Sequence, residues 1–116
     1  MRRVLVVEDE ALILLTVIDA LEDAGFEVIE ASTADDAVEI INEHTIHFLF
    51  TDIQMPGELS GVDLAHVVAE RFPEAGIIVA SGRLTPGDVN LPADAQFFSK
   101  PYDFATVVDR LKEFRR

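Results

Sequence analysis

Val4-Leu5-Val6-Val7-Glu8-Asp9-Glu10 is a short, unbroken apolar run, rich in β-branched residues, that ends abruptly in three acids. An apolar run of this kind predicts a strand buried on both faces, because a strand with one wet face alternates apolar and polar side chains. A helix follows: Ala11, Leu14, Val17, Ile18 and Leu21 recur at three-and-four spacing, and Gly25 stands where a C-terminal cap would close it. The unit then repeats along the chain. Phe26 to Ala31 reads as a second strand. Thr33-Ala34-Asp35-Asp36 opens a second helix with Ala37, Ile40 and Ile41 inward, and Phe48 to Thr51 is a third strand. After a Pro/Gly loop, Ser60-Gly61-Val62-Asp63 caps a third helix whose apolar residues are Val62, Leu64, Ala65, Val68 and Phe72, stopped by Pro73. Ile77 to Ala80 is a fourth strand and Ala95 to Ser99 a fifth. Asp103 caps a last helix with the stripe Phe104, Val107, Val108, Leu111 and Phe114. Strands alternating with helices imply right-handed crossovers and a doubly wound α/β fold of about five parallel strands covered on both faces. Between Ser81 and Phe97 the prolines Pro86 and Pro92, with Gly87, rule out a continuous crossover helix of ordinary length, so a turn or loop is expected there.

The 116 residues are 49% hydrophobic, and 9 Lys+Arg against 22 Asp+Glu give a formal charge of −13. One domain spanning 1–116 is expected. A fold of this size buries roughly two-thirds of the surface its unfolded chain exposes, so no disulfide or metal staple is needed. The excess negative charge disfavours nucleic-acid and membrane-surface roles, and no stretch approaches the roughly 20 apolar residues of a membrane span. The start, Met1-Arg2-Arg3 before Val4, resembles a signal peptide only until the acids at Glu8. With no cysteine in the chain there is no thiolate metal site or cysteine nucleophile, which suits a reducing cytoplasm.

Ligands of open α/β sheets bind outside the carboxyl ends of the strands. In this chain those ends carry Glu8 and Asp9 after strand one, Asp52 after strand three, Ser81 after strand four and Lys100 after strand five. Three carboxylates in one crevice repel one another, and a divalent cation is the natural compensation. Hard carboxylate, carbonyl and water oxygens suit octahedral Mg²⁺. A carboxylate can also attack phosphorus once cations neutralise the charge on the equatorial oxygens, and Asp52, between the acid pair and Ser81/Lys100, is best placed to do so. Lys100 is one of only two lysines and adjoins Pro101 just past an apolar strand, as if aimed into the crevice.

These residues resemble those of a two-component response-regulator receiver domain, over essentially the whole length of the chain. Glu8-Asp9 is similar to the family's acidic pair, Asp52 in Thr51-Asp52-Ile53-Gln54-Met55-Pro56 to its phosphoacceptor, Ser81 to its switch hydroxyl and Lys100-Pro101 to its lysine-proline pair. The resemblance implies a flavodoxin-like strand order 2-1-3-4-5 and a Mg²⁺ ion held directly by Asp9 and Asp52, through water by Glu8 and by the Gln54 backbone carbonyl. It further implies Lys100 on the phosphoryl group, Phe97 as an aromatic that changes rotamer with Ser81, and a cis Lys100-Pro101 bond. Gln54 and Arg83 occupy the positions that in receivers tune phosphoryl hydrolysis. Two departures stand out: the Pro56 to Gly61 loop is one residue longer than usual, and the fourth helix is short or absent, which disturbs the usual output face.

The expected function is that of a phosphoacceptor rather than a conventional enzyme. A partner phosphohistidine gives its phosphoryl group to Asp52, the domain switches, and the group slowly hydrolyses. The expected partners are a histidine kinase or a histidine phosphotransfer protein, with the domain a monomer or weak dimer. Leu12, Ile13 and Leu15 fall outside the core stripe of the first helix, and by the resemblance Ile13, Thr16, Pro101 and Tyr102 are the expected docking residues. His44, His47 and His66 lie away from the crevice and are not expected to donate or bind. The chain ends at Arg115-Arg116 just after the last helix, which fits either a stand-alone receiver or a piece of a longer regulator. Two other classes are weighed. A phosphohydrolase with an aspartyl nucleophile would want a general acid at position 54, where Gln54 stands. A scaffold acting by constitutive contacts would not need the complete set of acids, Ser81 and Lys100.

Overall fold

The computed structural model describes residues 2–55, 57 and 59–114; Met1, Pro56, Glu58, Arg115 and Arg116, and with them the tip of the long loop and both chain ends, lie outside it. Five strands, β1 (Arg3–Val7), β2 (Glu27–Ala31), β3 (Phe48–Asp52), β4 (Gly76–Ser81) and β5 (Gln96–Ser99), form one parallel sheet in the order β2-β1-β3-β4-β5. This is the expected order. The helices are α1 (Ala11–Asp23), α2 (Ala34–Glu43), α3 (Gly61–Arg71) and α4 (Phe104–Glu113).

The apolar strands divide their side chains by the two-residue period of extended chain. Leu5, Val7, Leu49, Ile77 and Val79 point into the layer under α2 and α3, whereas Val4, Val6, Phe48, Phe50, Ile78 and Ala80 point into the layer under α1 and α4. Burial of both faces is why β1, β3 and β4 contain so few polar residues. The buried stripe of α1 is Leu14, Val17, Ile18 and Leu21; Ala11, expected on that stripe, is exposed, being the first helical residue at the crevice end. Gly25 takes φ +96, the left-handed conformation that ends α1 without strain on a side chain. Thr33 accepts the Asp36 N–H at 3.1 Å, Ser60 and Asp63 cap α3 reciprocally, and Asp103 accepts the Ala105 N–H at 3.0 Å.

β2 starts at Glu27 instead of Phe26, and Phe26 is buried edge-on against Phe48 with ring centroids 5.6 Å apart. Between β4 and β5 the only helical turn among the described residues is a 3₁₀ turn at Pro86–Asp88, its ends tied by Thr85 and Asp88. The fourth crossover helix is therefore absent, as the prolines require. Leu84, Val89 and Leu91 pack against the core on the α2/α3 side in its place, and Phe97 on the edge strand β5 is half-buried against the same core.

One residue fixes how α3 approaches the crevice. Gly61 donates its N–H to the Ile53 carbonyl at 2.9 Å, and a Cβ built on it would lie 2.0 Å from the Asp52 carbonyl oxygen and 2.8 Å from the Ile53 Cα. Both obstacles are backbone, so no side chain can swing aside. Gly61→Ala is expected to destabilise by about 1–3 kcal/mol or more through overpacking, read as a lower urea midpoint at unchanged m-value.

Candidate functional site

The parallel sheet brings four strand ends to one rim. Asp52 is the last residue of β3 and pairs in register with Ala80, so Ser81 stands one step beyond it on β4. Ser81 in turn pairs with Ser99 on β5, and the Lys100 N–H donates to the Ser81 carbonyl at 2.9 Å. On the other side β1 delivers Glu8, whose N–H donates to the Ala31 carbonyl of β2 at 3.1 Å.

Glu8, Asp9 and Asp52 each offer a carboxylate oxygen within 4.8 Å of the others. Glu8 is 2% exposed and Asp52 7%, while Asp9 faces solvent. Lys100 reaches into the gap, its ammonium 2.9 Å from Asp52 Oδ2 and 3.6 Å from Glu8 Oε1. The peptide bond that follows it, Lys100-Pro101, is cis, as the resemblance implied. Burial raises the Glu8 carboxyl above its ordinary range and the Asp52 and Asp9 charges add to this, partly offset by the Glu10 N–H that donates to Glu8 Oε2 at 3.1 Å and by Lys100. Burial alone would lower the Lys100 ammonium, but the hydrogen bond and charge of Asp52, with Glu8, raise it on balance. One ammonium therefore faces three carboxylates. The donor set is hard oxygen, partly buried and short of positive charge, which fits a small divalent cation.

The remaining expected residues are placed as follows. Gln54 is exposed, and its side chain meets Ser81, whose Oγ lies 2.9 Å from Gln54 Oε1. Phe97 packs in the layer under α2 and α3. Ile13, expected outside the core stripe, is half-buried against the α1/α4 layer, leaving Leu12 at 78% and Leu15 at 56% as the exposed apolar side chains of α1. Thr16 returns its hydroxyl to the Leu12 carbonyl at 2.9 Å, and Pro101 is exposed. Tyr102 packs inward, its ring edge-on to Phe50 and Phe104 at 5.5 and 5.4 Å. Burial, reinforced by Glu8, Asp52 and Glu10, pushes the Tyr102 phenol above its ordinary range, and among the described residues its hydroxyl has no hydrogen-bond partner. Arg83 is exposed on the loop after β4. Two histidines have structural partners away from the acids: His47 Nδ1 accepts the Arg3 N–H at 3.0 Å, and His66 Nε2 lies 2.7 Å from the Asn90 carbonyl, to which only a protonated Nε2 can bond.

Two features were not anticipated. Gly61 sets the backbone around Asp52, and the Gln54 side chain contacts Ser81; neither relation is visible in sequence, because each joins segments that meet only in the fold. A cavity of about 590 Å³, lined by Arg2, His47, Phe48, Arg71 and Phe114 among others, lies at the opposite ends of the strands, away from the acids.

A doubly wound sheet with an acidic, lysine-countered rim at the carboxyl ends of its strands defines a class of phosphoacceptor signalling domains. The chain belongs to the response regulator receiver domain family, whose model matches residues 4–112. It is 32% identical to the response regulator receiver protein CpdR of Brucella abortus, over 97% of this chain and 96% of that one, and 34% identical to the chemotaxis protein CheY of Thermotoga maritima with the same coverage. A crystal structure of a response regulator receiver protein from Sinorhizobium medicae superimposes with a TM-score of 0.92 at 28% identity, covering 97% of this chain and 93% of that one. Among the described residues no helix is long and apolar enough to cross a membrane.

The Glu8 shift has a sign that can be tested. The folded chain holds the Glu8 proton more tightly than the unfolded chain, so stability falls as pH rises from the ordinary value of 4.5 through the raised one. Lys100 acts in its own window: its contribution is complete below 10.5 and is lost as pH climbs through its raised value. For metal-free protein, the stability of Glu8→Gln relative to the parent is therefore expected to increase between pH 4.5 and neutrality, measured by urea midpoints; a difference that is flat with pH contradicts the shift.

Proposed function

We propose that the domain accepts a phosphoryl group from a partner phosphohistidine onto Asp52, switches conformation and slowly hydrolyses the product. The convergence of Asp52 with Glu8, Asp9 and Lys100 carries this reading. In the transfer, an Asp52 carboxylate oxygen forms the new P–O bond as the P–N bond to the donor imidazole breaks. The bonding pair stays on the imidazole nitrogen, which then takes a proton from water. Lys100, already 2.9 Å from Asp52, turns its ammonium to the phosphoryl oxygens. Asp9, Asp52, the Gln54 backbone carbonyl and, through water, Glu8 would hold Mg²⁺. When bound, the ion supplies positive charge against the equatorial phosphoryl oxygens. Ser81 donates its hydroxyl to the phosphoryl group, and the half-buried Phe97 changes packing with it.

The donor docks over the rim through Ile13, Thr16, Pro101 and Tyr102, with the exposed Leu12 and Leu15 of α1 adding apolar surface. A histidine kinase or histidine phosphotransfer protein is the partner, in the cytoplasm, with the receiver a monomer or weak dimer. The charge of −13 keeps nucleic acid and anionic membrane from competing with that partner. Gln54 offers no general acid at the position a phosphohydrolase would use, so turnover of small phosphate esters is not part of this function.

Incubation with acetyl phosphate and Mg²⁺, followed by intact-mass spectrometry, is expected to show one phosphoryl adduct. The adduct should vanish in Asp52→Asn and when the metal is chelated. An adduct that survives Asp52→Asn, or no adduct from either acetyl phosphate or a phosphohistidine donor, overturns the proposal.

A further inference from the structure

Ser81 is 1% exposed, and its hydroxyl has a complete set of partners. The backbone N–H groups of Arg83 and Leu84 donate to Ser81 Oγ at 3.1 and 3.0 Å. A hydroxyl oxygen has two lone pairs and one proton. With both lone pairs taken, the contact of 2.9 Å to Gln54 can only be Ser81 O–H donating to Oε1. The same count fixes the Gln54 amide: its oxygen faces Ser81 and its NH₂ faces solvent, since an NH₂ turned inward would find no free lone pair.

We propose that the Gln54 side chain is a latch for the unphosphorylated state, a positioning residue that holds the Ser81 proton away from Asp52. The inference rests on the phosphoacceptor reading above and adds a term to it. A hydroxyl that must donate to a phosphoryl oxygen on Asp52 has one proton to give, and Gln54 holds it. Turning toward the phosphoryl group breaks the Gln54 bond and disturbs the Arg83 and Leu84 bonds made by the same oxygen. Leu84 also forms, with Val89, Met55, Leu59 and Val62, the wall of a groove of about 460 Å³ beside β3. The latch therefore sets both the readiness of Ser81 and the position of the loop that stands where the fourth helix is missing. Gln54 is exposed, so water replaces Ser81 at its oxygen on release and the latch is a light one. A net hydrogen bond of this kind shifts an equilibrium by about 2- to 10-fold.

The test is a double-mutant cycle on beryllofluoride binding in saturating Mg²⁺, followed by calorimetry, with Gln54→Met, Ser81→Ala and the pair. Methionine keeps the length and the backbone carbonyl but offers only a weak thioether acceptor in place of the amide oxygen. Gln54→Met is expected to tighten beryllofluoride about 2- to 10-fold in the Ser81 protein and to change it little in Ser81→Ala. Equal effects in both backgrounds, or no tightening in the first, overturn the latch. Amide exchange in the free protein reads the latch without any phosphoryl mimic: Gln54→Met is expected to speed exchange at Arg83 and Leu84 a few-fold, with α2 and α3 unchanged. If the parent fails to bind beryllofluoride, the phosphoacceptor reading falls. Exchange then decides the latch alone, and unaltered exchange at Arg83 and Leu84 overturns it.

Discussion

Three carboxylates held within 4.8 Å of one another by backbone that cannot yield are the constraint around which this molecule is organised. Glu8 is fixed by the end of β1 and by its bond from the Glu10 N–H, and Asp52 by the end of β3. Their mutual repulsion is offset in the free protein by a single ammonium, that of Lys100. A site with surplus negative charge and hard oxygen donors suits a small divalent cation, and the cost of assembling it is carried by the apolar sheet beneath.

The sheet can bear that cost because its central strands are buried twice over. Alternate side chains of β1, β3 and β4 enter two separate apolar layers, so the strand ends are held as a rigid rim and only the loops beyond them are free to respond. The longest of these loops follows β4. There the chain has lost a helix to two prolines, and the covering is a loop anchored at one end by Ser81 and packed, like Phe97, against the core on the α2/α3 side. A hydroxyl that is at once a loop anchor and a partner of Gln54 couples the acidic rim to the least regular part of the fold. The coupling is mechanical: whatever turns Ser81 must also move Arg83 and Leu84.

Much of this was legible in the sequence because it depends on local rules. The periodicities of Val4 to Val7, Leu14 to Leu21 and Phe104 to Phe114 located strand and helices. The capping residues Thr33, Ser60 and Asp103 located three of the four helix starts, and Pro86 and Pro92 announced the missing helix. The chemical types at the strand ends followed from the rule that α/β ligands bind there. Relations between distant segments were not legible. The closeness of Gly61 to the Asp52 backbone, the bond from Ser81 to Gln54 and the inward packing of Ile13 and Tyr102 depend on how α3, β4 and α1 settle on the sheet. A sequence read for periodicity carries no term for that settling.

The central claim is that the carboxylate at position 52, and no other group, receives the phosphoryl group. Borohydride reduction of freshly phosphorylated protein converts an aspartyl phosphate to homoserine, and peptide mass spectrometry then locates it. The account predicts homoserine at position 52 and unmodified acids at Glu8 and Asp9. Homoserine or its homologue elsewhere, or phosphate found on a histidine, would contradict it.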